Sequence, residues 1–187
     1  MVSFETWWKK HFKGVPPIKF DLRKRLRDRW FRIHCLPQGK RYADSKKEYE
    51  TIIERYNAVA DAILGDKGDC WFVYAVDKDL LPKKIVLPDI KKQLTCDFEV
   101  LADPDDEESV MSFCTTSVKW KAGGFDALLR EVADDEVGPL YFVNKKTRRI
   151  FAPYDGGADL FCKTKTERDK FAKQFKSWLP KKKQTGY

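Results

Sequence analysis

PLYFVNKKTRRIFAPYDGGADLFC, residues 139–162, holds three short aromatic and branched runs separated by two clusters of turn formers. Leu140–Val143, Ile150–Phe151 and Leu160–Cys162 have the side chains a buried pleated surface prefers. Asn144-Lys145-Lys146-Thr147 supplies one turn and Pro153-Tyr154-Asp155-Gly156-Gly157 the next. Asp-Gly between apolar runs signals a hairpin, because primed turns need a positive φ that these residues tolerate. The segment therefore reads as a three-stranded β-meander. Its only carboxylates are Asp155 and Asp159, which flank the glycine pair.

Upstream of the meander, a helix is expected after Ser45. Ser45-Lys46-Lys47-Glu48 is a capping-box pattern. Tyr49, Ile52, Ile53, Tyr56, Val59, Ala60, Ile63 and Leu64 then recur on one helical face until Gly65. Residues 3–13 suggest a shorter helix capped by Ser3, with Phe4, Trp7, Trp8 and Phe12 on one side. Asp21 is a candidate cap for a third, bearing Leu22, Leu26 and Trp30. Trp30–Cys35 alternates as a strand, so Arg32 and His34 face away from Phe31, Ile33 and Cys35.

Further strands are expected at Cys70–Val76, Ile85–Leu87, Phe98–Leu101 and Val110–Trp120. The acidic run 103–108 between the last two suits an exposed loop tip. Helices follow at residues 125–133 and from Thr166, the latter burying Phe171, Phe175, Trp178 and Leu179. The order lacks strict β–α alternation. It predicts an α+β fold, a mainly antiparallel sheet of about six to eight strands with helices packed on one face. Residues 1–180 are expected to form a single domain and residues 181–187 a mobile basic tail.

Charge is distributed unevenly. Residues 1–41 carry net +9, residues 163–187 net +7 and the centre net −8. Basic ends around an acidic centre suit a polyanion-binding face, an acidic protein partner, or pairing within the fold. No run of about 18 apolar residues is present, so no membrane span is expected. The charged N-terminus does not resemble a secretion signal, so the protein is expected in the cytoplasm. The five cysteines form no C-x-x-C pair and are expected as free buried thiols. With two histidines in the chain, no His-rich metal site and no cofactor are expected.

No serine elbow, P-loop, dinucleotide fingerprint or zinc-protease motif occurs. That disfavours enzymes with compact signatures and leaves a dispersed site built from His34, Arg41, Asp155 and Asp159. The Lys40–Tyr42 loop and the Asp155–Asp159 turn are expected to meet at one end of the sheet, where their opposite charges would pair. Binding to a partner or to nucleic acid would fall to Arg23, Arg25, Arg27, Arg32, Lys40, Arg41, Lys173 and Lys176.

Two stretches carry a resemblance. RWFRIHCLPQGKRYADSKKEYETIIERYN, from Arg29, and IFAPYDGGADLFCKTKTERDKFAKQFKSWL, from Ile150, are similar to a group of small bacterial proteins of unknown function. There an R-x-H-x-L-P-x-x-K-R-Y run precedes a helix, and a Y-D-x-G-x-D hairpin precedes a closing helix. The resemblance implies one intact cytosolic domain and no particular activity. The first functional expectation is a non-catalytic protein-binding module, accessory or immunity-like. Nucleic-acid binding through segments 19–32 and 163–183 stands second, and an enzyme with a dispersed site third.

Overall fold

A computed structural model describes residues 2–78, 94–103 and 106–181. Among them run α1 (Phe4–His11), α2 (Lys19–Arg25), β1 (Trp30–His34), α3 (Lys46–Leu64), β2 (Asp69–Asp77), β3 (Thr95–Asp103) and β4 (Asp106–Lys119). Then come α4 (Asp126–Ala133), β5 (Leu140–Asn144), β6 (Ile150–Tyr154), β7 (Gly157–Phe161) and α5 (Lys165–Gln174). The fold is α+β. The described strands form one seven-stranded antiparallel sheet in the order β1-β7-β6-β5-β2-β4-β3.

The meander β5–β6–β7 forms as expected and lies beside the central β2, whose run CWFVYAV is buried at all but Trp71. Period-two alternation divides β2 between two cores. Phe72, Tyr74 and Val76 join the core shared with α3, α4 and α5 on one face, while Val73 and Ala75 join the core shared with α1 and α2 on the other. The three later helices share a face, but the expectation of helices on one face only is corrected by α1 and α2, which cover the other. The two N-terminal helices add a second layer that amphipathic patterns alone do not place.

Ser45 caps α3 by accepting from the Glu48 N–H at 3.3 Å. Glu48 does not return the bond to Ser45. Its carboxylate accepts from the Asp44 N–H at 2.7 Å and from Lys40 Nζ at 2.7 and 2.8 Å. Helix α2 starts at Lys19, two residues before the expected Asp21 cap, and Ile18 at its N-cap makes no side-chain bond. Leu22 and Leu26 are nevertheless buried, because the apolar spacing sets the packed face whatever residue caps it.

The glycine pair acts differently from the expectation. Neither Asp155 nor Gly156 takes a positive φ, so the β6–β7 turn is not a primed one. Gly157 is needed for space, since a Cβ there would sit 1.9 Å from the Ile33 carbonyl oxygen of β1. The left-handed residue of the meander is Arg148 in the other turn, at φ 62°.

The cysteine expectation is corrected for two of the five. Cys96 and Cys114 are register partners on β3 and β4 and form a disulfide. Sequence separation hides such a pair, whereas antiparallel register places it. Cys35, Cys70 and Cys162 are free and buried. Of the acidic run, residues 106–108 belong to β4 and not to a loop, while 104–105 lie outside the described residues. The strand expected at Ile85–Leu87 and tail residues 182–187 also lie outside them. Among the described residues, no helix is long and apolar enough to cross a membrane.

Candidate functional site

The end of the sheet formed by β1, β7 and β6 gathers most of the candidate residues. Alternation puts Trp30, Arg32 and His34 on the α2 side of β1, and pairing sets Arg32 opposite Asp159. Asp159 is fully buried. Arg32 grips it with a two-pronged fork, Nε to Oδ1 at 2.8 Å and Nη2 to Oδ2 at 3.1 Å. The Trp30 indole N–H donates to Oδ1 at 2.9 Å, and Lys19 Nζ of α2 stands 3.8 Å from Oδ2.

The Tyr154 ring completes this cluster. Lys19 Nζ lies 4.5 Å and the Arg32 guanidinium 4.8 Å from its centroid, within cation–π range. Burial works against the Arg32 charge, but the hydrogen bond and charge of Asp159 outweigh it and move the guanidinium pKa up. Lys19 goes the other way. Burial pulls its ammonium down to about 8, Asp159 opposes this, and Arg32 and Arg23 add repulsion. Burial also moves the Tyr154 phenol well up, so it stays protonated.

Asp155 is held from the opposite direction. The Arg41 guanidinium Nε and the Tyr42 hydroxyl both donate to its Oδ2, the latter at 2.9 Å. The turn is pinned from below by Tyr56 of α3, whose hydroxyl donates to the Tyr154 carbonyl at 2.5 Å. Beside Asp155 opens a cleft of about 280 Å³ lined by Lys19, Tyr154, Asp155, Asp135 and Pro139 among others.

The fold thus brings Arg32, Arg41, Asp155 and Asp159 together, and it binds both carboxylates to guanidinium groups. His34 is on the same side of β1, but it lines a separate, much smaller cleft with Arg55 and Trp178. Burial, then Arg32, pulls its pKa down. Lys40 lies before α3 and pairs with Asp44 and Glu48 at 2.7 Å each. Cys35 faces the core, where burial pushes its thiol up to about 12 and leaves it unreactive.

Lys19, Trp30 and Tyr154 join the cluster without having been singled out for it. Lys19 reads as one cation in a basic segment, and Trp30 as the edge of a helix face. Their role follows from the β1–β7 pairing, which joins residues 129 apart in the chain.

The remaining basic candidates lie around the β1 edge on both sides of the sheet. Helix α2 carries Arg23 and Arg25 over one face, and Arg27 follows it. Helix α5 carries Lys173 over the other, with Lys176 just beyond. Arg25 has Asp21 at 3.7 Å. Arg23, Arg27, Lys173 and Lys176 have no carboxylate partner among the described residues.

A family model described as Domain of unknown function (DUF3885) matches residues 18–183. No curated protein and no solved structure matches the chain.

Proposed function

We propose, for a chain that belongs to the DUF3885 family of unknown function, that it is a non-catalytic protein-binding module, accessory or immunity-like in kind. Its binding surface is the basic β1 edge, and its partner presents an acidic face. The observation that carries this reading is the set of unpartnered cations Arg23, Arg27, Lys173 and Lys176 flanking the β1 edge, with the exposed Phe20 on the same helix as Arg23. Phe20 of α2 is 63% exposed and Tyr42 45%. An exposed aromatic beside unpaired arginines suits a protein interface, where aromatic and arginine side chains are enriched.

Two further points support binding over catalysis. Asp155 and Asp159, the best acid–base candidates, are both held by arginine. The acidic hairpin β3–β4 also lies at the opposite end of the sheet and leaves Arg23, Arg27, Lys173 and Lys176 unmatched, whereas Arg25, Arg32, Lys40, Arg41 and Arg149 pair with carboxylates within the fold. Glu99 on that hairpin pairs with Lys78 at 3.0 Å and not with α2.

Nucleic-acid binding is the second reading, favoured by the same unpaired cations. It sits less well, because α2 and α5 lie over opposite faces of the sheet and Trp8 is turned into the core.

The test is fluorescence anisotropy of a labelled polyglutamate peptide and of single- and double-stranded oligonucleotides, across a salt series. The expected result is salt-sensitive peptide binding that weakens on replacing Arg23, Arg27, Lys173 and Lys176 with Gln, and on Phe20→Ala. Tighter oligonucleotide binding with a steep salt slope would transfer the function to nucleic acid. No binding of either at low salt would remove both readings.

A further inference from the structure

A second basic feature stands apart from the carboxylate cluster. The end of α1, the β5–β6 turn and the start of the β7–α5 connection enclose a cleft of about 230 Å³ lined by His11, Phe12, Arg29, Arg148 and Lys163. No carboxylate lines it. Arg29 uses Nη1 to donate to the Lys163 carbonyl at 3.1 Å, which fixes the guanidinium and leaves its other N–H donors unspent. The side chains of Arg148 and Lys163 make no ion pair among the described residues. Glu167 lies within electrostatic range of Lys163. It is already engaged by the Arg149 fork at 2.9 and 3.1 Å, and it accepts the Lys163 backbone N–H at 3.1 Å.

Three permanent cations therefore face one another with nothing opposite between them. Burial, then Arg148 and Lys10, pulls the His11 imidazole down from its ordinary value. The Trp7 ring, 5.0 Å away, covers another side of it. Arg148 also holds a left-handed backbone, φ 62°, that a glycine would adopt without strain. A cation thus stands at a position whose backbone favours a residue with no side chain. Two guanidinium groups, an ammonium and an imidazole around a cleft of this volume suit a tetrahedral oxyanion, because forked N–H donors match its oxygens.

We propose that this cleft is a binding site for a phosphate group. The phosphate comes either from a small phosphorylated molecule or from a nucleic-acid backbone. The site does not depend on the protein-binding reading of the β1 edge.

The test titrates inorganic phosphate into the full chain at constant ionic strength and follows the two imidazole C2–H signals by NMR. The expected result is a saturable shift of the His11 signal, absent with chloride, while His34 stays unmoved. The His11 pKa should rise on saturation, because an added anion favours the imidazolium. Arg148→Gly should weaken phosphate at least tenfold while keeping the fold, since its backbone suits glycine. No saturable shift, an equal shift in chloride, or unchanged affinity in Arg148→Gly would overturn the proposal. A nucleoside 5′-monophosphate and a single-stranded oligonucleotide separate the sources. A monophosphate binding at least as tightly, with a shallow salt slope, assigns a small ligand. A tighter oligonucleotide with a steep slope assigns the backbone.

Discussion

Asp159 has no contact with solvent, yet three N–H donors and an ammonium surround its carboxylate. Such a group is worth more intact than its net contribution suggests, because removing one partner strands the other charges. Asp159→Ala is expected to destabilise the protein by about 3 kcal/mol, read as a lower urea midpoint at unchanged slope. Lys19 has the opposite character. In the unfolded chain it holds its proton up to the ordinary value of 10.5, whereas in the fold it releases it near 8. Between those pH values the unfolded state binds more protons, so stability rises with pH, and the penalty is full below pH 8. Denaturation at pH 7 and pH 10 should show the natural chain gaining on Lys19→Met by about 2–4 kcal/mol. An unchanged difference would mean that Lys19 keeps its charge throughout.

Helix α1 lies before the family match, which begins at residue 18. Its packing is extensive all the same. Phe4 and Trp8 are 1% exposed, and Trp8 stacks on Phe12 at 4.2 Å and meets Tyr141 of β5 at 6.1 Å. Its indole N–H also donates to the Val15 carbonyl at 2.8 Å. Trp8→Ala is therefore expected to cost about 3–5 kcal/mol, measured by thermal or urea unfolding. A cost below about 1 kcal/mol would show α1 to be an ornament on the sheet. The β3–β4 hairpin offers a chemical test. Denatured protein without reductant should react with a thiol reagent at Cys35, Cys70 and Cys162 alone, and at all five cysteines after reduction. The cross-link closes a loop of 18 residues, so reduction should cost about 3 kcal/mol of stability.

Across the whole molecule, the sheet acts as a spacer between charges. Six strand intervals separate β1 from β3, roughly 29 Å at ~4.8 Å each. That exceeds the Debye length of about 8 Å at physiological salt, so the two ends do not neutralise each other through solvent. Placement of charge should then matter more than net charge. Neutralising Arg23, Arg27, Lys173 and Lys176 is expected to weaken acidic-peptide binding at least tenfold. Neutralising Lys46, Lys47, Lys119 and Lys121, which leaves the same net charge, should change it less than threefold. Equal losses from the two sets would point to nonspecific attraction by net charge.

What could be read from the chain follows the range of the interactions. Period two placed Arg32 and His34 on one side of β1. Period 3.6 marked the buried face of α3, and turn residues delimited the meander, because each of these signals acts over a few neighbours. The pairing of the Lys40–Tyr42 loop with the Asp155 turn was also legible, as opposite charges beside matched sheet ends. Other features depended on the tertiary structure. Pairing of β1 with β7 made Asp159 a buried anchor for Arg32, Trp30 and Lys19. The β3–β4 register joined Cys96 to Cys114, and the approach of β7 to Ile33 made Gly157 a matter of space and not of φ. The arrangement of His11, Arg29, Arg148 and Lys163 around one cleft likewise comes from chain ends and turns that share no local pattern. Local sequence selects elements through backbone preference and periodicity, whereas sites are assembled by contacts between distant residues that only packing of the whole sheet can choose.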